Sequence, residues 1–463
     1  MTVRVVPEQV AKREGGRNMH RTRYLWIALL AVLLVFSLTV AGCGGDDETT
    51  TTAPASTDTT GADADTTDTT MGEPVTLQLG GTFALTGAYA EDVAAILAGF
   101  EDYIQWVNDN KMLAPWYPDK TIPENITFEL NWQDDALDPA KTLTIYDDQK
   151  SNGLLVQRVS GSPEGMALKD LLMEDQIGAT SQSTSSAYLT PPGNIFMNSS
   201  IYSDQMAAIA DWFLENWTED RAPRVAYLTA DSAFGRNIDF PEMQAYLEEI
   251  GYEFVGSQFV PMVPSAPPTT QVAWLKENGV DLALGLMINP GSQPTVKEAT
   301  RLGMGPDLEY KITFGFGYPA HLQIFVPAMG EEGNGVVVAG GFCALDADND
   351  GIAFANELQD TYRANNRNDN VMYLDGIVEA MTQIEALRLA SMEVDPAALT
   401  SADVLQKGFW QINDLSTGDI TITPLSYGEG DPQGVEEVRL QQVQNGEIVE
   451  LGSWPAHNIL PAQ

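Results

Sequence analysis

The sequence predicts an α/β protein with largely parallel sheets, arranged as two lobes or domains, and three observations carry that expectation. From Pro74 onward, short runs rich in Val, Ile, Leu and Phe alternate with segments of helical periodicity. At 463 residues the chain is longer than one ordinary core accommodates. Toward the C-terminus the alternation gives way to a stretch over 419–451 that reads as strands, with a hairpin signal at Asn445–Gly446.

The elements follow in order. VTLQLGGTFAL (75–85) reads as a strand ending at a Thr-Gly turn. In the helix predicted over 90–109, Val93, Ile96, Leu97, Phe100, Ile104 and Val107 share one face. A strand at 126–135 leads to a helix at 138–150 that opens with Asp then Pro, a favourable start because proline needs no hydrogen-bond acceptor there. A strand at 153–161 and a helix at 163–175 come next. Strands at 224–230, 252–260, 281–288, 310–316 and 335–342 are then separated by helical segments at 240–251, 269–279 and 295–304. A long helix covers 373–392, and no repeat of solenoid type is present. Ligands of such sheets sit beyond the carboxyl ends of the strands, so the strand-to-helix turns are where binding residues belong.

The N-terminus has a different chemistry. Arg13, Arg17, Arg21 and Arg23 precede an uncharged, mostly apolar run, 24–42, which ends in Val40, Ala41, Gly42 and Cys43. Basic residues, an apolar run and small residues form a secretory signal, although the length alone also suits a membrane-spanning helix. Residues 44–73 are rich in Thr, Asp, Gly and Ala and hold almost no large apolar side chain. They cannot bury enough surface to offset the entropy of ordering, and as a coil they would reach roughly 30 Å. Of the two cysteines, Cys343 reads as a small buried apolar residue once Cys43 is used otherwise.

Charge excludes one class of function. Sixty-five Asp/Glu against 24 Lys/Arg give a net charge of −41. Residues 1–42 hold six of the basic and two of the acidic residues, so the chain from Cys43 onward stands at −45. Such a surface cannot neutralise phosphates along a nucleic-acid backbone. It reads as a solvated acidic shell, or alternatively as a field that draws in a cationic ligand.

Several motifs, in this order and spacing, resemble the type I periplasmic binding proteins of ABC importers, in the branch of the leucine/isoleucine/valine-binding proteins. They are LTG (85–87), DDALDPAKT (134–142), the Ser-rich GATSQSTSSAYLT (178–190), RVAYLTADSAFG (224–235) and GEIVEL (446–451). LTVAGC, ending at Cys43, is similar to the lipobox of bacterial lipoproteins, which implies cleavage of 1–42, a lipid on Cys43 and a tether over 43–73. The resemblance implies two α/β lobes joined by three crossings, a Venus-flytrap fold. Lobe one would hold 75–202 and 340–425, and lobe two 203–339 and 426–463.

Carried onto this chain, the family's ligand contacts fall on Thr86, Asp92, Ser162, Thr184 and Ser185 in lobe one. In lobe two, or at its start, they fall on Ser203, Asp204, Phe234, Asn289, Phe316 and Tyr318. The serines and threonine of the Ser-rich loop would hold a ligand carboxylate, or would simply satisfy the turn backbone. Amino-acid binders of this branch place a Glu in the last turn to pair with the ligand ammonium. Here Phe316 stands at the best-matching position, so either Asp92 or Asp204 holds the ammonium or the ligand is not an α-amino acid. Asp134, Asp135 and Asp138 read as residues that cap the next helix and hold its loop.

The implied function is an extracellular, lipid-anchored receptor on the outer face of the cytoplasmic membrane. It would deliver a branched-chain amino acid, or a related amino acid, amide or aromatic acid, to an ABC permease. The alternatives are a ligand-sensing lipoprotein that signals without transport and a cell-surface hydrolase. Catalysis has little to stand on: the histidines are His20, His321 and His457, and no paired-Cys metal site, His-Glu-x-x-His helix or phosphate loop is present. No cofactor is implied, with one alternative. Asp346, Asp348, Asp350 and Glu357 have the spacing of a calcium loop, although a strand precedes them and Phe354 occupies a usually polar position. The other reading is an acidic turn opening a helix.

Overall fold

The computed structural model describes residues 73–462; the signal-like segment, Cys43 and nearly all of the Thr/Asp-rich stretch lie outside them. The first strands, β1 (Val75–Thr82), β2 (Ile126–Gln133), β3 (Val156–Val159), β4 (Gly178–Ser181) and β5 (Ile195–Met197), form a parallel sheet in the order β2-β1-β3-β4-β5. Helices α1 (Ala90–Asn110), α2 (Pro139–Ser151) and α3 (Ser162–Glu174) connect them. The apolar stripe of α1 is buried along its length, Val93, Ile96, Phe100 and Val107 completely. Asp138 caps α2, its carboxylate accepting from Ala140 N at 2.9 Å.

The second sheet contains β6 (Arg224–Ala230), β7 (Glu253–Val260), β8 (Leu282–Gly285), β9 (Thr313–Phe316), β10 (Val337–Gly340), β11 (Glu437–Gln444) and β12 (Glu447–Pro455). Its order is β12-β11-β10-β9-β8-β6-β7, with β6 to β10 parallel and β11 and β12 antiparallel. Asn445 and Gly446, at φ 53° and 74°, turn the β11–β12 hairpin in the left-handed geometry that this dipeptide favours. With this sheet go α4 (Tyr202–Glu215), α5 (Pro241–Ile250), α6 (Thr269–Glu277), α7 (Asn289–Arg301) and α8 (Leu322–Met329).

After β10 the chain returns to the first sheet's side, where α9 (Asp350–Tyr362) and α10 (Met372–Glu393) pack on α1. A Cβ at Gly99 would lie 2.1 Å from the Tyr373 carbonyl oxygen, and one at Gly376 2.0 Å from that of Ile96. Helices α1 and α10 therefore meet backbone to backbone, which only glycine permits. Three segments pass between the sheets: 198–201 before α4, 341–349 after β10, and the chain leading from Gln433, which bridges to Met197 beside β5, into β11.

One stretch departs from the sequence reading. Residues 419–436 form no strand beyond isolated bridges. Asp419 takes a positive φ of 66°, Thr417 Oγ1 accepts from Thr421 N at 3.0 Å, and Thr421 Oγ1 donates to Thr423 O at 2.8 Å. Side-chain bonds to nearby backbone thus compete with a strand ladder in this β-branched segment.

Candidate functional site

The strand-to-helix turns of both sheets converge on one cavity of about 200 Å³. From the first sheet come Tyr89 before α1, Leu137 before α2, Ser160 and Gly161 after β3, Ser162 to Glu164 in the first turn of α3, and Gln182 and Ser183 after β4. From the second come Ser232 and Phe234 after β6, Met262 after β7, Ile288 after β8 and Pro319 after β9, while Tyr202 opens α4. The cavity thus lies beyond the carboxyl ends of parallel strands on both sides, where the backbone leaves the ladder and side chains are available to a ligand.

The wall is chiefly apolar and aromatic. Tyr202 and Phe234 meet edge to face, 5.4 Å between ring centroids. Leu137 is held in place by strained backbone: Ala136 and Leu137 both adopt φ 56°, a conformation costing roughly 1–2 kcal/mol per L-residue. Asp134 Oδ1 accepts from Ala136 N at 2.8 Å and Asp135 Oδ1 from Leu137 N at 3.2 Å, which stabilises the turn.

Polar groups gather on the lobe-one side. Ser162 and Ser183 hydroxyls share a hydrogen bond of 2.6 Å. Glu164, in the first turn of α3, is fully buried, and neither carboxylate oxygen has a hydrogen-bond partner on another residue. Burial pushes its carboxyl up to about 7 against a pull from its own amide N–H, and the negative charges of Asp135 and Asp138 add to the rise.

Behind the cavity lies a second buried polar group. Arg158 of β3 donates to Thr82 O at 2.8 Å, bonds to Gln182, lies 3.2 Å from Glu379 of α10 and stacks over Phe83. Asp375, one turn before Glu379, accepts from Asn198 Nδ2 and from Tyr318 Oη, each at 2.8 Å. Burial pushes both carboxyls up, and the charge of Glu379 adds to the rise at Asp375.

Of the residues singled out from sequence, Ser162 and Phe234 line the cavity. Asp92 and Asn289 line a broader neighbouring cavity on the other side of Tyr89, where Asn370 donates to Asp92 at 2.6 Å. Thr184 and Ser185 join the lobes: Gln205 of α4 donates to Thr184 Oγ1 at 3.3 Å, and Ser185 Oγ bonds to Asn237 Oδ1. Thr86 donates to Asp134 at 2.5 Å. Ser203 donates to Ile459 O at 2.6 Å, and Asp204 accepts from His457 N and Ile459 N, so both fasten the C-terminal segment. Phe316 is packed into the second lobe's core, and Tyr318 into the network around Asp375.

Glu164, Tyr89, Tyr202, Met262 and Ile288 escaped the sequence reading. The available signal was position, since each lies at or next to a strand-to-helix turn. The acidic turn at 346–357 does not gather: among the described residues, no three His, Cys, Asp or Glu side chains converge as a metal site. Asn349 caps α9 through Ile352 N at 2.8 Å, and Glu357 accepts from Trp106 Nε1 at 3.2 Å. Cys343 is buried, and among the described residues no disulfide pairs it.

Two α/β lobes with an apolar cavity between their strand ends form the architecture of a bilobal binding protein. The chain belongs to the periplasmic binding protein family, whose model matches residues 76–447. A search of curated proteins found no match. Among solved structures it is similar to a branched-chain amino acid ABC transporter protein from Thermus thermophilus with bound valine, at 21% identity and TM-score 0.72, covering 84% of this chain and 98% of that one. It is also similar to a fatty acid ABC transporter substrate-binding protein from Thermomonospora curvata, at 18% identity and TM-score 0.68, covering 84% and 95%. A third is a solute-binding protein from Rhodopseudomonas palustris BisB5 in complex with 3,4-dihydroxybenzoic acid, at 18% identity and TM-score 0.64, covering 82% and 98%. These likenesses are likenesses of fold. Among the described residues no helix is long and apolar enough to cross a membrane.

Proposed function

We propose that this protein is the extracellular, lipid-anchored receptor of an ABC importer, which captures a small solute between its lobes and presents it to the permease. The observation that carries this reading is the cavity walled by both lobes. A solute touching Ser162 on one side and Phe234 on the other favours the closed arrangement, and closure is the signal a permease can recognise. An apolar cavity of about 150 Å³ takes benzene, so the solute is of amino-acid or small aromatic size, in keeping with the valine and dihydroxybenzoate of two fold relatives. A branched-chain amino acid, or a related amide or aromatic compound, is the class the cavity suits.

The lipid belongs on Cys43, which would leave the folded lobes tethered to the outer face of the membrane by the Thr/Asp-rich stretch. The deciding experiment is native mass spectrometry of the purified protein for a co-purifying small molecule, followed by a thermal-shift screen with branched-chain and aromatic amino acids, their amides and aromatic acids. A saturable rise in Tm with at least one compound is expected. No shift from any of them, together with turnover of a compound, would overturn the receptor reading. Cys43→Ala should lose acyl labelling and be shed from the membrane.

A further inference from the structure

Glu164 is a feature the receptor reading leaves unused. It is 0% exposed, it lines the cavity, and both of its carboxylate oxygens lack a partner on any other residue. A buried carboxylate without a hydrogen bond is costly, and a folded protein keeps one when something else completes it. The rest of the wall says what that is. A metal ion is a poor candidate, since no second carboxylate, His or Cys lines the cavity and a hard cation needs several oxygen ligands. The rings of Tyr89, Tyr202 and Phe234 and the side chains of Met262, Ile288 and Leu137 instead suit an organic group that is apolar over most of its surface. Aromatic faces also favour an organic cation over an anion.

We propose that Glu164 is the specificity-determining residue of this site, pairing with an ammonium group on an otherwise apolar solute of aliphatic or aromatic character. This deepens the receptor reading and rests on it. It differs from the assignment of an ammonium partner to Asp92 or Asp204, since neither lines this cavity: Asp204 Oδ1 holds the backbone of the C-terminal segment, and Asp92 lines the neighbouring cavity. A carboxylate placed beside Ser162 and Ser183 would face Glu164 at close range and be repelled. The strongly acidic protein as a whole attracts the same sign of ligand.

The neighbours of Glu164 reinforce the choice. Asp135 and Asp138 face it from the turn before α2, and Tyr188 from the loop after β4, with Tyr89 and Tyr202 on the cavity wall. Lys169, further along the same helix, donates its ammonium to Ala187 O at 2.7 Å. The cation that would neutralise Glu164 therefore comes with the solute.

The test compares two matched series on the purified protein by calorimetry and thermal shift: 3-methylbutylamine and 2-phenylethylamine against 3-methylbutanoate and phenylacetate. The amines are expected to bind and the acids not. Glu164→Gln should weaken amine binding by about tenfold or more while the protein still melts cooperatively. Amine affinity should also fall as pH drops from 8 to 5, because protonation removes the charge of Glu164 while the amines stay charged. Binding of the acids in place of the amines, or unchanged amine affinity in Glu164→Gln, overturns the assignment and leaves the receptor reading intact. Absence of binding by either series and by every amino acid overturns both.

Discussion

Two groups of buried acid lie within the same lobe, and they are built in opposite ways. Asp375 and Glu379 are enclosed with the guanidinium of Arg158, and Asp375 receives two further hydrogen bonds from Asn198 and Tyr318. Glu164 is as deeply buried and receives none from another residue. The first arrangement pairs its acids with a buried cation inside the protein, although Glu379 Oε2 and Arg158 Nε keep no hydrogen bond, and it holds β3, α10 and the turn after β9 together. The second is complete only with something added. Burial alone therefore does not mark Glu164 out, nor does one unpartnered oxygen, which Glu379 and Asp204 also have; both oxygens without a partner, in the wall of a cavity, do.

The largest test of this contrast removes the partner from the first group. Arg158→Met should destabilise the protein by about 3–5 kcal/mol at pH 7, because Glu379 and Asp375 lose their only buried cation. The loss should shrink at pH 5, where Asp375, pushed up to about 7 by burial, has taken up a proton. Denaturant melts at both pH values measure it. A cost under about 1 kcal/mol at pH 7 would mean the group is no more complete than Glu164.

The next test has the opposite sign. Glu164 titrates near 7 in the folded protein against an ordinary 4.5, so between these values the folded state holds more protons than the unfolded. Its stabilising share is then fully present below 4.5 and is lost as pH rises through 7, a loss of at most about 3 kcal/mol. Glu164→Gln removes that loss. The variant should melt higher than the parent at pH 8 and equal to it near pH 4, read by thermal shift without ligand. A variant that melts lower at pH 8 would show that Glu164 has a partner in the folded chain after all.

This contrast also explains how far the sequence could be read. The stripe Val93, Ile96, Phe100, Val107 shows its helical period regardless of context, and the structure buries it. The Asn445–Gly446 hairpin was equally legible, because its turn depends on local backbone geometry alone. Ser162 and Phe234 follow strands, and the structure places both in the wall of the cavity at the carboxyl ends of the parallel strands, where such sheets bind. Glu164 was not legible in this way. A Glu in the first turn of a helix ordinarily faces solvent and complements the helix dipole, whereas this one is buried in the wall of a cavity that residues distant in sequence complete. Thr184, Ser185, Ser203 and Asp204 show the converse. Their residue types suit ligand binding, but Gln205, Asn237 and the C-terminal segment reach them first. Partners distant in sequence decide such cases, and one chain read alone does not contain them.

The smallest effect is expected where the two groups approach each other. Tyr318 reaches from the second lobe to Asp375 at 2.8 Å and is followed by Pro319, which lines the cavity. Tyr318→Phe removes one bond from a carboxyl that keeps Asn198, so the stability cost should be about 1 kcal/mol. The bond also links the lobes, and without it the open arrangement gains population. The ligand-free variant should show a larger radius of gyration by solution scattering. Apparent affinity should drop only by a few-fold, since a ligand that selects the closed state loses in proportion to how seldom that state is populated. An affinity loss as large as that of Glu164→Gln, with an unchanged radius of gyration, would place Tyr318 in contact with the solute. The complete and the incomplete acid groups would then be a single site.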